Sequence, residues 1–150
     1  MRIFFTLLVF IFFTMSCTSD IVGVVLKDDI YSSRVKQIMS DHQEVKFDTL
    51  DKYLEEDASI EYSGEIFNGK QNLIEVWKSE FWYFSDIFFD KKDVFTTFNK
   101  DRSYTTIFKA NWEAKGNFTN NTYTVYSFYE FKWKYDRINE IHVHWNNQPY

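Results

Sequence analysis

Apolar residues recur at helical spacing three times in the first half of the chain, and then settle into strict alternation. Within 28–42, Ile30, Tyr31, Val35, Ile38 and Met39 are separated by three- and four-residue steps, which predicts one buried face of a helix. Phe47, Leu50, Tyr53 and Leu54 form a second, shorter stripe, with Asp48 and Asp51 near its positive end. Ala58, Ile60 and Tyr62 then alternate with polar neighbours as a half-buried strand does, Gly64 breaks the run, and Ile66-Phe67 is a stub strand. Asn68-Gly69 signals a turn before a third helical stripe of Leu73, Ile74, Trp77, Phe81 and Trp82. Beyond Ser85 the period is two. Strands are predicted over 87–99, with a candidate break at Lys91-Lys92, and over 104–115, 122–134 and 138–146. Tyr104, Thr106, Phe108, Ala110, Trp112 and Ala114 share one mostly apolar face, expected to look toward the helices. The order predicts an α+β fold. Three N-terminal helices would pack on a strongly curved, mainly antiparallel sheet, forming a cone with an internal pocket.

Composition narrows the partners. At 150 residues the chain suits one domain with a single core. With 17 basic against 22 acidic residues and no basic run, it lacks the charge to track a phosphate backbone, which excludes nucleic acid as a partner. Its 17 Phe, 10 Tyr and 5 Trp suit a well-covered sheet or an aromatic-lined cavity.

The first residues look like an address. Met1-Arg2 supplies a positive start and 3–13 is an apolar run interrupted only by Thr6, which is too short to span a bilayer but fits the core of a signal peptide. The single cysteine, Cys17, follows directly. A lone cysteine makes no internal disulfide. The segment resembles a bacterial lipoprotein signal (1–16), in which Cys17 accepts the lipid and becomes the mature first residue, with Ser16 as the small residue before it. Thr14 departs from the leucine usual at that position. The expected location is then the bacterial cell envelope, lipid-anchored to a membrane, with 17–26 as tether and 27–150 as the domain. The alternative is ordinary secretion or export to the periplasm, with Cys17 incidental. The apolar patch 21–26 fits an extra strand on the domain or a segment at the lipid interface.

The stretch FDTLDKYLEEDASIEYSGEIFNGKQNLIEVW, with the acidic Glu55-Glu56-Asp57, Ile60 to Tyr62, Gly69 and the closing Arg137-Ile138-Asn139-Glu140-Ile141, resembles the nuclear-transport-factor-2-like superfamily. That superfamily includes SnoaL-like polyketide cyclases, ketosteroid isomerases and scytalone dehydratases. The resemblance covers 35–145 and implies the cone fold and its pocket. It is silent on activity, because this fold hosts enzymes, binders and assembly modules. Ketosteroid isomerases place a general-base aspartate where Tyr62 stands, and an acid near Tyr129. A phenol is no resting base at neutral pH, and Glu130, one residue away, points to the opposite face.

The remaining candidates come from the residues themselves. Glu140, His142 and His144 share one face of the last strand, close enough to flank a proton-transfer site or a metal; a polar outer face or a subunit contact is the plainer reading. Ile141, Val143 and Trp145 should face the core. His42 ends the first helix, where the dipole favours a cation, and is expected at the surface. Tyr53, Tyr62, Trp77, Phe81, Trp112, Tyr129 and Trp145 are the candidate pocket lining. Two sequons, Asn117-Phe118-Thr119 and Asn120-Asn121-Thr122, mark a polar hairpin. No motif calls for a cofactor. The expected function is therefore a membrane-tethered, non-catalytic module that binds a small apolar molecule. The alternative is an isomerase, cyclase or dehydratase using a His-Tyr acid-base pair with His142, His144 and Tyr62 as candidates. The outer sheet face, mixing Thr105, Ile107, Tyr126 and Phe128 with Lys109, Glu113, Glu130 and Lys132, is compatible with a homodimer.

Overall fold

The computed structural model describes residues 24–146. Cys17, the signal segment and most of the tether lie outside them. The chain runs β1 (Val25–Leu26), α1 (Ile30–Gln43), α2 (Asp48–Tyr53), β2 (Leu54–Tyr62), β3 (Glu65–Asn68), α3 (Lys70–Tyr83), β4 (Phe84–Phe98), β5 (Tyr104–Gly116), β6 (Thr122–Lys134) and β7 (Arg137–Asn146). All strands join one seven-stranded sheet in the order β1-β4-β5-β6-β7-β2-β3, antiparallel except between β2 and β7. This is the expected α+β class. The sheet is open, with β1 and β3 as edges, and is not strongly curled, which corrects the expected degree of curvature.

Local chemistry explains the boundaries. Asp29 caps α1, accepting from the backbone N–H of Tyr31 and Ser32. Gly69 at φ 90° turns the chain into α3 with its carbonyl already accepting from Leu73. Within 21–26, Val25 and Leu26 pair with Thr97 and Thr96, so the described end of that patch packs as an extra strand. The acidic Glu55-Glu56-Asp57 belongs to β2, which starts at Leu54, ahead of the alternation at Ala58, and shifts register against β7 between Leu54 and Ser59. Lys91-Lys92 does not break β4. The strand absorbs the two charges as a bulge, between the paired residues Asp90 and Asp93, with Lys91 at φ 48°.

One polar chain crosses the core and closes completely. Ser32 Oγ donates to Asp29 at 2.6 Å and lies 2.9 Å from Thr96 Oγ1. Thr96 Oγ1 lies 3.0 Å from Thr106 Oγ1, which accepts from Trp133 Nε1 at 3.0 Å. α1, β4, β5 and β6 are stitched together by groups that all have partners, as a structural network requires.

Candidate functional site

Further along the same interior, the polar groups lack partners. The stripe that buries α1 continues from Val35, Ile38 and Met39 to His42, which is 2% exposed, so the expected surface position of His42 is corrected. It sits at the last turn on the buried face, and packing outweighs the preference of a helix end for solvent. On α3 the spacing of Leu73, Ile74 and Trp77 brings Glu80 onto the buried face, where it is 4% exposed. Trp82, expected in that stripe, points outward at 71% exposure.

Glu80 and His42 meet inside. Glu80 Oε2 lies 3.4 Å from His42 Nε2 and accepts no hydrogen bond, while Glu80 Oε1 accepts from the Tyr62 hydroxyl at 2.9 Å. Aromatic rings surround the pair. His42 lies 5.2 Å from Trp77, 5.1 Å from Phe81 and 5.9 Å from Phe89, centre to centre. Trp77 contacts Tyr129 at 6.3 Å, Tyr129 contacts Trp145 at 5.9 Å, and Trp145 contacts Tyr62 and Trp112 at 6.1 and 5.4 Å. Six of the seven expected pocket residues therefore come together. Tyr53 does not: it lies beside Trp133, with the Arg34 guanidinium over its ring.

The expected open pocket is filled. Trp77, Trp112 and Tyr129 are each at most 4% exposed and pack edge to face, because their combined bulk occupies the space under the sheet. An open groove of about 1380 Å³ lies elsewhere, at the β4–β5 and β6–β7 turns, and none of the seven lines it.

Five buried atoms in this aromatic interior have no hydrogen-bond partner: His42 Nδ1, Trp77 Nε1, Glu80 Oε2, Trp112 Nε1 and the Tyr129 hydroxyl. Ser127 Oγ lies close to the Tyr129 hydroxyl and donates its own proton to the Ala110 carbonyl. Burial, and then the charge of Glu80, push the Tyr62 phenol far above its ordinary value. Burial, then Glu80 and Tyr62, do the same to Tyr129. Both phenols stay protonated through the physiological range.

The outer-face candidates are arranged differently. His142 Nδ1 lies 2.8 Å from Glu61 and Nε2 lies 2.6 Å from Glu140, which also accepts from Lys132 at 2.9 Å. Both ring nitrogens are engaged, on the face away from Glu80. His144 is exposed and lies against Phe128 and the His142 ring. Glu140, His142 and His144 thus close a surface network. Among the described residues no three His, Cys, Asp or Glu side chains are placed to hold a metal. Partial burial opposes ionisation of Glu140, but hydrogen bonds from Lys132 and His142 hold its carboxyl below the usual range.

No family model matches the sequence, and no curated protein matches it. Solved structures do. An NTF2-like protein from Anabaena variabilis superposes with a TM-score of 0.65 at 16% identity, over 79% of this chain and 87% of that one. The fold is nuclear-transport-factor-2-like. A protein with a ketosteroid-isomerase-like fold from Catenulispora acidiphila, solved with trimethylamine, gives a TM-score of 0.64 at 7% identity, over 76% of this chain and 85% of that one. A candidate SnoaL-like polyketide cyclase from Shewanella denitrificans gives 0.62 at 13% identity, over 79% and 92%. At such identities the likeness establishes the nuclear-transport-factor-2-like fold and nothing of the chemistry.

Proposed function

We propose that the domain binds a small, largely apolar molecule in its aromatic interior, against the Glu80–His42 pair. The observation that carries this is the set of five buried polar atoms there without a hydrogen-bond partner, one of them the Glu80 oxygen that faces His42, in a core whose other polar chain, from Asp29 to Trp133, is fully paired. A buried polar group without a partner costs roughly 1–3 kcal/mol, so five in one place call for a reason. Two of the five are indole N–H groups that can only donate, and Glu80 Oε2 can accept. The fitting ligand is an apolar body bearing an oxygen acceptor and one hydrogen-bond donor. Half-buried Tyr62, Phe81 and Trp145 are the rings that would yield to it. Native mass spectrometry of the gently purified full chain tests this. A small noncovalent mass should vanish on denaturation and be missing from Glu80→Gln, which keeps the bond with Tyr62 but turns the acceptor into a donor. An adduct retained by Glu80→Gln would contradict it.

The contiguous phenol, carboxylate and imidazole favour a second reading, an isomerase or lyase that moves a proton. The pair drawn on would be His42–Glu80 with Tyr62. His142 and His144 lie on the other face. A proton-transfer enzyme should exchange the methyl protons of para-hydroxyacetophenone for solvent deuterium in a Glu80-dependent way, and a binder should leave them in place.

The same reading places the domain on a membrane through a lipid on Cys17 and pairs two copies through the outer sheet face. The sequence supports the anchor. Ile107 and Phe128 on that face support the pairing, and monomeric light-scattering masses at both high and low concentration would end it.

A further inference from the structure

A second cavity, of about 500 Å³, opens between α1 and β4, beyond the short stretch of β4 that β1 covers at Thr96 and Thr97. Its floor is apolar: Met39 from α1, Val94 from β4 and Phe108 from β5. Phe108 also forms the wall toward the interior site, with its ring 5.3 Å from Phe89 and 5.9 Å from Tyr129. The cavity is therefore separate from the one around Glu80.

Lysines reach its rim from three segments. Lys27 follows β1, Lys36 comes from α1, and Lys92 comes from the bulge in β4. The bulge explains the last of these. Asp90 pairs with Asn111 and Asp93 with Lys109, so Lys91 and Lys92 together oppose the buried Ala110. Two lysines thus enter the strand where alternation calls for one inward-facing residue. Neither Lys27 nor Lys92 makes an ion pair among the described residues, and the Lys92 ammonium rests on the exposed ring of Phe88 at 5.6 Å.

The carboxylates nearby do not cancel this charge. Asp28 is taken up by Lys36 at 2.9 Å, and Asp29 is turned into the cap of α1. Asp93 shares a face with its register partner Lys109, whose ammonium lies over Phe95 and Phe128 on the outer side of the sheet. Strand alternation therefore sends the Asp93 carboxylate away from Val94 and the cavity floor. A hydrogen bond from Lys36, then its charge, hold the Asp28 carboxyl below its usual range, and Lys27 adds to the effect. A carboxylate at this rim is stabilised by its surroundings. The volume falls among small-molecule sites, roughly 300–1,000 Å³, and the concave shape suits neither a bilayer nor a flat protein face. A bare inorganic anion would gain nothing from the apolar floor, and an organic cation would be repelled at the rim. Ser40 adds a hydroxyl beside the lysines.

We propose that this cavity binds a small carboxylic acid, with the carboxylate among Lys27, Lys36 and Lys92 and the apolar body on Met39, Val94 and Phe108. This goes beyond the interior-site reading and does not depend on it. The probe is para-fluorophenylacetate, titrated into the full chain in detergent and followed by its fluorine resonance against detergent alone. Wild type should give a saturable shift and bind the acid at least tenfold more tightly than para-fluorophenylacetamide, its uncharged isostere. Lys27→Gln combined with Lys92→Gln should weaken the acid at least tenfold at an unchanged melting temperature, because neither lysine holds an ion pair. Lys27→Arg combined with Lys92→Arg should bind it as wild type does, and so should Lys100→Gln, at the far groove. Equal affinity for acid and amide, full binding by the glutamine pair, or no saturable binding at millimolar acid would overturn the proposal. Binding lost in Glu80→Gln but kept in the glutamine pair would place the acid in the interior and equally overturn it.

Discussion

Glu80 sits three residues after Trp77 and seven after Leu73, so helical spacing alone puts its carboxylate on the apolar face of α3. His42 stands in the same relation to Met39 and Val35. Both were legible as polar residues on an apolar stripe, and dipole reasoning at a helix end hid His42 while the aromatic neighbours hid Glu80. Tyr62, Trp77, Phe81, Trp112, Tyr129 and Trp145 were legible as a group because strand alternation and helix period fix which way each points. Their dense packing was not, since it depends on how ring volumes from separate elements add. The outer-face position of His142 and His144 follows from the same alternation. The contrast between paired and unpaired hydroxyls has a measurable consequence. Tyr129→Phe deletes an unpartnered oxygen and should raise unfolding free energy by about 1 kcal/mol, whereas Tyr62→Phe deletes a bond to a carboxylate and should lower it by about 2 kcal/mol. Urea unfolding distinguishes the two signs, and a loss of 1 kcal/mol or more in Tyr129→Phe would show its hydroxyl to be satisfied. Both phenols have raised folded values, so their contribution is intact below about pH 10 and declines as pH rises past it, where unfolded tyrosines ionise and these do not. Tyr129→Phe should therefore lose stability less steeply above pH 10 than wild type.

Among the elements, the helices and the three long strands β5, β6 and β7 fall within a residue or two of the periodicity, because each has a continuous buried face. The departures sit where one face is interrupted. Lys91-Lys92 resembles a break in sequence, yet a bulge keeps β4 paired on both sides and leaves its edge charged, which discourages pairing with other chains. Asp29 ties an element to the whole: it caps α1 and begins the hydroxyl chain that reaches Trp133. Asp29→Ala should cost about 1 kcal/mol and roughly 3 °C in melting temperature. Burial works against its ionisation, but the hydrogen bonds from Ser32 prevail and hold the carboxyl below its usual value. The folded value is depressed, so the stabilisation is present above about pH 4 and is lost as pH falls further. The gap in melting temperature between wild type and Asp29→Ala should be full at pH 7 and close in acid. A gap as wide in strong acid as at pH 7 would contradict the capping account.

For the molecule as a whole, the order of helices and strands was enough to anticipate the α+β class, because the alternating strands can bury one face only against the helices before them; the nuclear-transport-factor-2-like fold was anticipated only through the resemblance of 47–77 and 137–141. The openness of the sheet was not legible, since twist and bulges accumulate over seven strands. The proposed envelope location rests on Cys17 and the run before it. Cys17→Ser in the native host should move the protein from the detergent phase to the aqueous phase on Triton X-114 partitioning, and an unchanged distribution would remove the lipid anchor.

The interior site is the centre of this account, and Trp133 provides a built-in control for it. Its indole N–H is already bonded to Thr106, whereas those of Trp77 and Trp112 are not. Titrating the full chain in detergent with para-hydroxyacetophenone, an aromatic body with one acceptor and one donor, should shift the indole signals of Trp77 and Trp112 in a proton–nitrogen correlation spectrum. Trp133 should stay in place. Saturable shifts of those two signals alone, lost in Glu80→Gln, are the predicted result; binding that leaves both unmoved, or moves Trp133 equally, would contradict an interior ligand site.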